Sequence, residues 1–329
     1  MEEMLFYGWG IEPEKIVTVQ DNVWCVEDGL EKFAFKRSLL KEKNLRFVCA
    51  AEDSLLRHGF FDYALLLPPK NGQLYYGDKG QFYTLHRWID GEKCDFDHIG
   101  HLYTAAQTLF SFHLRSREKS LKDLDSTRYV CFDRYQQLAE RGSELQHFYE
   151  IASFSPQTYF TKLYRTYYGG FLEKTRRAQK ELLCSEYPRL AREAAAVGAF
   201  IHYDVAARNF LIENNKAMLI DFDYCCCDLP LTDLVRLTKR SLKSGARCEE
   251  KINAILNGYQ QYRRLTKEEG KVLYALLLFP QKYWRISHRY FYEQKANEEE
   301  YYIKKMENAV KELEKEDHWL DLLKKRLEE

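Results

Sequence analysis

The sequence predicts an α+β protein of two lobes: a small β-rich lobe over residues 1–90 and a large helical lobe over residues 91–329. Three observations predict it. Short runs rich in Val, Phe and Trp, separated by turn residues, fill the first ninety residues. After Asp90-Gly91 the apolar residues recur at helical spacing instead. One segment interrupts those helices: IHYDVAARNFLIENNKAMLIDFDYCCCDLP, Ile201–Pro230, reads as a strand hairpin dense in carboxylates.

In chain order, Lys15–Val19, Val23–Glu27 and Lys32–Arg37 are strands, broken by Gln20-Asp21-Asn22 and by the hairpin turn Asp28-Gly29. Phe47, Val48, Ala51, Leu55 and Leu56 mark a helix that Gly59 ends. Tyr63–Leu67 and Gln81–Trp88 are two more strands, on either side of the turn-rich Lys70–Gly80. Helices are expected over Ile99–Arg115, Val130–Phe154, Pro156–Cys184 and Pro188–Phe200, and again from Thr232 to the end. In the tail Glu298–Glu329, the stripe Tyr302, Met306, Val310, Leu313 and Leu320 is too short-lived a heptad for a free coiled coil and reads as a packing helix.

Composition narrows the function classes. With 50 basic and 50 acidic side chains, the net charge gives no argument for nucleic acid or an anionic membrane as partner. The start, MEEMLFYGWG, lacks the apolar run of a leader, and Val272–Pro280 is too short to span a bilayer. Nine cysteines without a CxxC pair fit a reduced, cytoplasmic setting. The triplet Cys225–Cys227 reads as small buried packing rather than as a metal site.

The hairpin carries the chemistry. Phosphoryl transfer from ATP needs a carboxylate to orient the acceptor hydroxyl, oxygen ligands for Mg²⁺, and a cation on the phosphates. Asp204 supplies the first, with His202 bracing its loop. Asn209 and Asp221 supply hard oxygen ligands, brought together as Phe210–Ile212 folds back on Ala217–Ile220. Lys36, at the end of the apolar strand FAFKR, is the candidate cation, and Glu52 on the next helix is its candidate ion-pair partner. Backbone groups around His86–Trp88 would bond the edge of an adenine held between the lobes.

Three stretches then carry a family resemblance: FYTLHRWIDGEKCDF, HYDVAARNFLI…MLIDFDYCCCDLPLTDLVRL and LLLFPQKYWRISHRYF. Over nearly its whole length the chain resembles the CotS/YutH-type spore-coat kinase-like family, within the aminoglycoside phosphotransferase and choline kinase group. The resemblance implies a bilobal protein-kinase-like fold that uses ATP and Mg²⁺. It implies Asp204 as the catalytic carboxylate, Asn209 and Asp221 as metal ligands, Lys36 on the phosphates, and Asp223 assisting the metal. It further implies Asp233 as the support of the catalytic loop, and a mother-cell protein assembled into the spore coat beside other coat proteins.

Two departures from that group stand out. Position 203 is Tyr where many relatives have Gly. The first hairpin turn, Gln20-Asp21-Asn22-Val23, has no glycine to let backbone approach phosphate, and Asp21 adds an anion there. Two readings therefore stand: a phosphotransferase acting on a hydroxyl of a small molecule or coat component, and a kinase fold kept as a coat building block without turnover. No activation-loop pattern follows Asp221-Phe222-Asp223. Acceptor choice would lie in the helical inserts Ser116–Pro188 and Arg247–Lys295, which show no acidic pattern suited to an amine.

Overall fold

A computed structural model describes residues 1–130, 134–154, 157–293 and 299–328. The expected helical positions 131–133, 156, 298 and 329, and the end of the second insert at 294–295, lie outside the described residues.

The first part of the chain runs α1 (Glu2–Trp9), β1 (Lys15–Gln20), β2 (Val23–Glu27), β3 (Lys32–Ser38), α2 (Glu42–Arg57), β4 (Leu66–Leu67), β5 (Tyr76–Asp78) and β6 (Gln81–Arg87). The strands form one antiparallel sheet in the order β1-β2-β3-β6-β4, with β5 also on β6. Strand alternation explains its two faces. Phe33 and Phe35 point to one side, where they pack with Leu5, Val26, Tyr83 and Leu85. Lys36 therefore points to the other, toward the helical part.

Helix α1 was not legible as such. It covers the sheet's apolar face through buried Leu5 and through Trp9, whose indole donates to the Leu67 carbonyl at 2.7 Å. Two strand boundaries also differ. Only Leu66–Leu67 of Tyr63–Leu67 pairs as a strand, because Tyr63 and Ala64 dock on Leu219 of the carboxylate hairpin instead. Tyr76–Asp78 forms a short strand inside the stretch read as turns.

The second part holds β7 (Glu92–Lys93), α3 (Ile99–Arg115), α4 (Leu121–Leu124), α5 (Arg134–Phe154), α6 (Tyr159–Leu183) and α7 (Tyr187–Val197). Then come β8 (Phe200–Ile201), β9 (Phe210–Glu213), β10 (Lys216–Leu219) and β11 (Cys226–Cys227). It closes with α8 (Leu231–Ser241), α9 (Cys248–Tyr259), α10 (Lys267–Leu278), α11 (Gln281–His288) and α12 (Glu299–Glu328). Phe200 leaves its expected helix because Gly198, at φ 67, ends α7 and frees Phe200–Ile201 to pair with Cys227 and Cys226. All three cysteines of the triplet are buried, and burial raises each thiol's pKa, so they pack as apolar groups.

The connector is tied to the hairpin: β7 pairs with β9, and a Cβ on Gly91 would lie 3.0 Å from the Ile212 carbonyl oxygen. The main core joins α2, α3, the hairpin and α8–α10, with Trp319, Leu320 and Leu323 of α12. A second, aromatic core gathers Phe148, Phe160, Tyr164, Phe171, Tyr283 and Phe291, and absorbs several of the chain's tyrosines. Helix α12 bridges the two, since Tyr302 and Met306 lie in the second.

Gly258 marks a close crossing of α9 on α3. A Cβ there would lie 2.3 Å from the Tyr103 carbonyl oxygen of α3. Gly→Ala inside a helix ordinarily gains about 1 kcal/mol, but forced overpacking costs about 1–3 kcal/mol. Gly258→Ala is therefore expected to lower the urea midpoint, with a raised midpoint showing that α3 and α9 yield freely.

Candidate functional site

The loop between β8 and β9 is built on Asp233, in the first turn of α8. That carboxylate is fully buried and accepts the backbone N–H groups of His202 at 2.8 Å and Tyr203 at 2.9 Å. His113 Nε2 adds a third contact at 3.3 Å, and its Nδ1 is 2.8 Å from the Tyr259 hydroxyl. Asp233 thus takes the supporting position that the family resemblance implies. His202 is itself fully buried, with Nε2 3.0 Å from the Ile220 carbonyl and its ring against Phe222. It braces the loop against the hairpin and is a positioning residue.

Two non-glycine residues bordering the cleft take the left-handed conformation, Tyr203 and Asp221, both at φ 66. Such residues cost about 1–3 kcal/mol each and persist only where surroundings hold them. Tyr203 is held by Asp233 and by the Arg236 guanidinium stacked 3.5 Å from its ring centre. This explains why glycine suits that position elsewhere, and how tyrosine is tolerated here.

Asp204 is less free than its expected role requires. Its Oδ2 accepts from Arg208 at 2.6 Å and from the Asn209 amide at 2.9 Å, and its Oδ1 accepts from Arg240 at 2.7 Å. Burial raises its pKa, but the Arg240 hydrogen bond and charge, then Asn209 and Arg208, outweigh burial and hold the carboxyl below its ordinary value. Both Asp204 oxygens are thus engaged by side-chain donors. Asn209 spends its amide nitrogen twice on Asp204, so its carbonyl oxygen is the atom that carries no hydrogen bond among the described residues. Its backbone carbonyl accepts from Ile220 N–H at 3.1 Å, which sets it beside Asp221.

Lys36 reaches across from the sheet. Its ammonium lies 2.9 Å from Asp221 Oδ1 and 2.8 Å from Asp223 Oδ1. Burial pulls its pKa down, but Asp223 and Asp221 outweigh that and hold the ammonium above its ordinary value. Arg128 fixes the same turn by donating to the carbonyls of Asp223 and Cys225. Glu52 does not pair with Lys36; it is buried and takes the His86 ring at 3.2 Å. The His86 side chain is thereby committed, and the N–H groups of Arg87 and Trp88 already donate to Leu65 and Lys32. The Trp88 indole turns to Asp90 at 3.0 Å. The first hairpin turn is pulled onto β3, where Arg37 Nε donates to the Asn22 side chain at 2.8 Å and Asn22, at φ 66, takes the turn conformation a glycine would.

Sequence reasoning missed the arginines. Arg208 follows Asp204 by four residues, and Arg236 and Arg240 share a face of α8, spacings visible in the sequence but without a stated target. Asp221, Asp223 and the Asn209 carbonyl are hard oxygen donors of the kind Mg²⁺ takes. Among the described residues, no group of three or more His, Cys, Asp or Glu could hold a metal by itself.

The family described as "Spore coat putative kinase YutH" matches residues 2–323. The chain belongs to that family. Spore coat protein S of Bacillus subtilis strain 168 is 23% identical over 313 residues, covering 92% of this chain and 86% of that one. An aminoglycoside phosphotransferase structure from Alicyclobacillus acidocaldarius superposes with a TM-score of 0.86 at 19% identity, covering 100% of this chain and 96% of its own. A spectinomycin phosphotransferase in complex with ADP and spectinomycin gives a TM-score of 0.64 at 11% identity, with 97% of each chain covered. These structural likenesses show the aminoglycoside phosphotransferase-like fold for this spore-coat kinase-like chain. Among its described residues, no helix is long and apolar enough to cross a membrane.

The depressed Asp204 pKa gives a signed expectation. A carboxylate lowered in the folded state adds stability above its unfolded value, near 3.8, and loses it as pH falls through the folded value. Arg240→Gln should raise the folded value toward the unfolded one, so the variant should be less stable than wild type above that range and lose less stability on acidification through it. Urea titrations across that acid range check it; superposable pH profiles would show that Arg240 does not hold Asp204.

Proposed function

We propose that this protein binds Mg²⁺-ATP between the sheet and the hairpin and transfers the γ-phosphoryl group to a hydroxyl of a small molecule or coat component. The observation that carries this is the three-charge bridge of Lys36 with Asp221 and Asp223. Two carboxylates gathered in one turn repel unless a cation compensates them, and Lys36 compensates them here. In this reading Lys36 turns to the phosphates, while Asp221, the Asn209 carbonyl and Asp223 hold the metal. A Mg²⁺ ion held by these oxygens would supply positive charge against that of the phosphates.

Asp204 would orient the acceptor hydroxyl and take its proton as the new oxygen–phosphorus bond forms and the β–γ bridging bond breaks, releasing ADP. For that, Arg208 or Arg240 must give up one carboxylate oxygen. Adenine would lie beside His86–Trp88, reached through the carbonyls of that stretch, with Glu52 keeping His86 in place. The protein would act in the mother cell and in the coat, beside other coat proteins.

The second reading is a coat building block that keeps the fold without turnover. The engaged Asp204 and the Asp21 anion in the glycine-free first turn favour it.

Calorimetry with ATP, with and without Mg²⁺, separates the two. Mg²⁺-dependent binding is expected, weakened at least about tenfold by Asp221→Asn, while Asp204→Asn leaves binding nearly intact and abolishes transfer. Asp21→Gly should tighten binding if the turn limits it. Absence of binding at millimolar ATP with Mg²⁺, with Asp221→Asn changing only thermal stability, would establish the coat building block instead.

A further inference from the structure

On the acceptor side of the cleft, among the described residues, guanidinium groups outnumber the carboxylates that pair with them. Around Tyr203 and Asp204 stand Arg236 and Arg240 of α8, Arg208 of the loop, Arg141 of α5 and Arg285 of α11. Arg208 and Arg240 share one carboxylate, Asp204. Arg141 donates to a neutral partner, Gln281, at 2.7 Å. Among the described residues, neither Arg236 nor Arg285 has a carboxylate partner; Arg236 instead stacks on Tyr203. Buried Nε of Arg236 and buried Nη1 of Arg240 have no hydrogen-bond partner among the described residues.

The cluster repels itself. Desolvation, then Arg236 and Arg289, push Arg285 below its ordinary value. Burial, then Arg134, push Arg141 down to about 10. A buried unpaired donor is destabilising, so the arrangement is a standing cost unless something supplies oxyanions to it. Among the described residues the acids nearest the cluster offset little of this charge, Glu144 opposing the shift of Arg141 only in part. Asp228 takes Arg134, and Glu144 accepts from the Trp284 indole. A cleft of about 450 Å³ opens beside Arg208 and Arg240. On its far wall Asp97 pairs with Lys251, and Asp95 caps the Asp97 N–H.

We infer that the acceptor is a small hydroxyl compound carrying an oxyanion, a carboxylate or a phosphate, rather than an amine. This deepens the proposed function and rests on its placement of the acceptor beside Asp204. Guanidinium groups match such oxyanions with paired, charge-assisted hydrogen bonds. The same anion answers the difficulty at Asp204. By recruiting Arg240, it would release Oδ1 to the hydroxyl that the same molecule carries, so the carboxylate is engaged only while the acceptor is absent.

The test is calorimetry on the full chain, in saturating Mg²⁺-ADP, with glycerol 3-phosphate, glycerate, glycerol and ethanolamine as probes. Binding of glycerol 3-phosphate or glycerate, but not of glycerol or ethanolamine, is expected. Whichever anion binds identifies phosphate or carboxylate as the group recognised. The Arg236→Gln/Arg285→Gln double variant should weaken that binding at least about tenfold, with Mg²⁺-ADP affinity within about twofold of wild type. If the double variant does not fold, Arg285→Gln alone serves, since Arg285 is exposed, and it should weaken the anion at least about threefold. Preference for ethanolamine, no anion binding at about 10 mM (about −2.7 kcal/mol), or anion binding unchanged in the variants would overturn the inference. Anion binding that depends on these arginines but persists where Mg²⁺-ADP fails to bind would sustain it and overturn the nucleotide reading alone.

Discussion

One ammonium group joins the two halves of the site. Lys36 leaves the polar face of the amino-terminal sheet and sits between Asp221 and Asp223, which the hairpin delivers from the far side of the cleft. Without it, two carboxylates two residues apart would face each other across a turn, one of them in a left-handed conformation. The pair is partly solvated, so its contribution to stability is modest. Its consequence is positional: it sets the end of β3 against the end of β10 and keeps the oxygens of the hairpin directed into the cleft.

Behind that bridge lies a rigid support. Asp233 gathers two backbone N–H groups and His113, and His202 spans from the loop to the hairpin. This buried frame lets Tyr203 hold a backbone conformation better suited to glycine. The frame and the bridge divide the work. Buried groups hold geometry, while the partly exposed Lys36, Asp221 and Asp223 keep charges that can exchange partners. The arginines at Asp204 belong to the second set, since each carries donor capacity beyond its carboxylate.

Much of this was legible in the sequence because it depends on local pattern. The strands β1–β3 and the helix Ile99–Arg115 follow from periodicity and turn residues, and the hairpin from its Glu213-Asn214-Asn215 turn. Asp204, Asn209 and Asp221 follow from spacing along one hairpin. What was not legible depends on distant partners. Helix α1 has few residues and one fully buried apolar side chain, so its existence is decided by Trp9 meeting Leu67. Glu52 was assigned to Lys36 by spacing alone, and the fold gave it His86. The engagement of Asp204 depends on Arg240, thirty-six residues away, which no local pattern connects to it.

The central claim is that Lys36 holds the place of a metal–nucleotide pair. Anomalous diffraction from crystals grown with Mn²⁺ and ADP tests it most directly. A manganese peak bound by Asp221 and the Asn209 carbonyl is expected, with the Lys36 ammonium moved from the carboxylates to phosphate oxygen. Crystals in which Lys36 still bridges Asp221 and Asp223, with no manganese in the cleft, would contradict it.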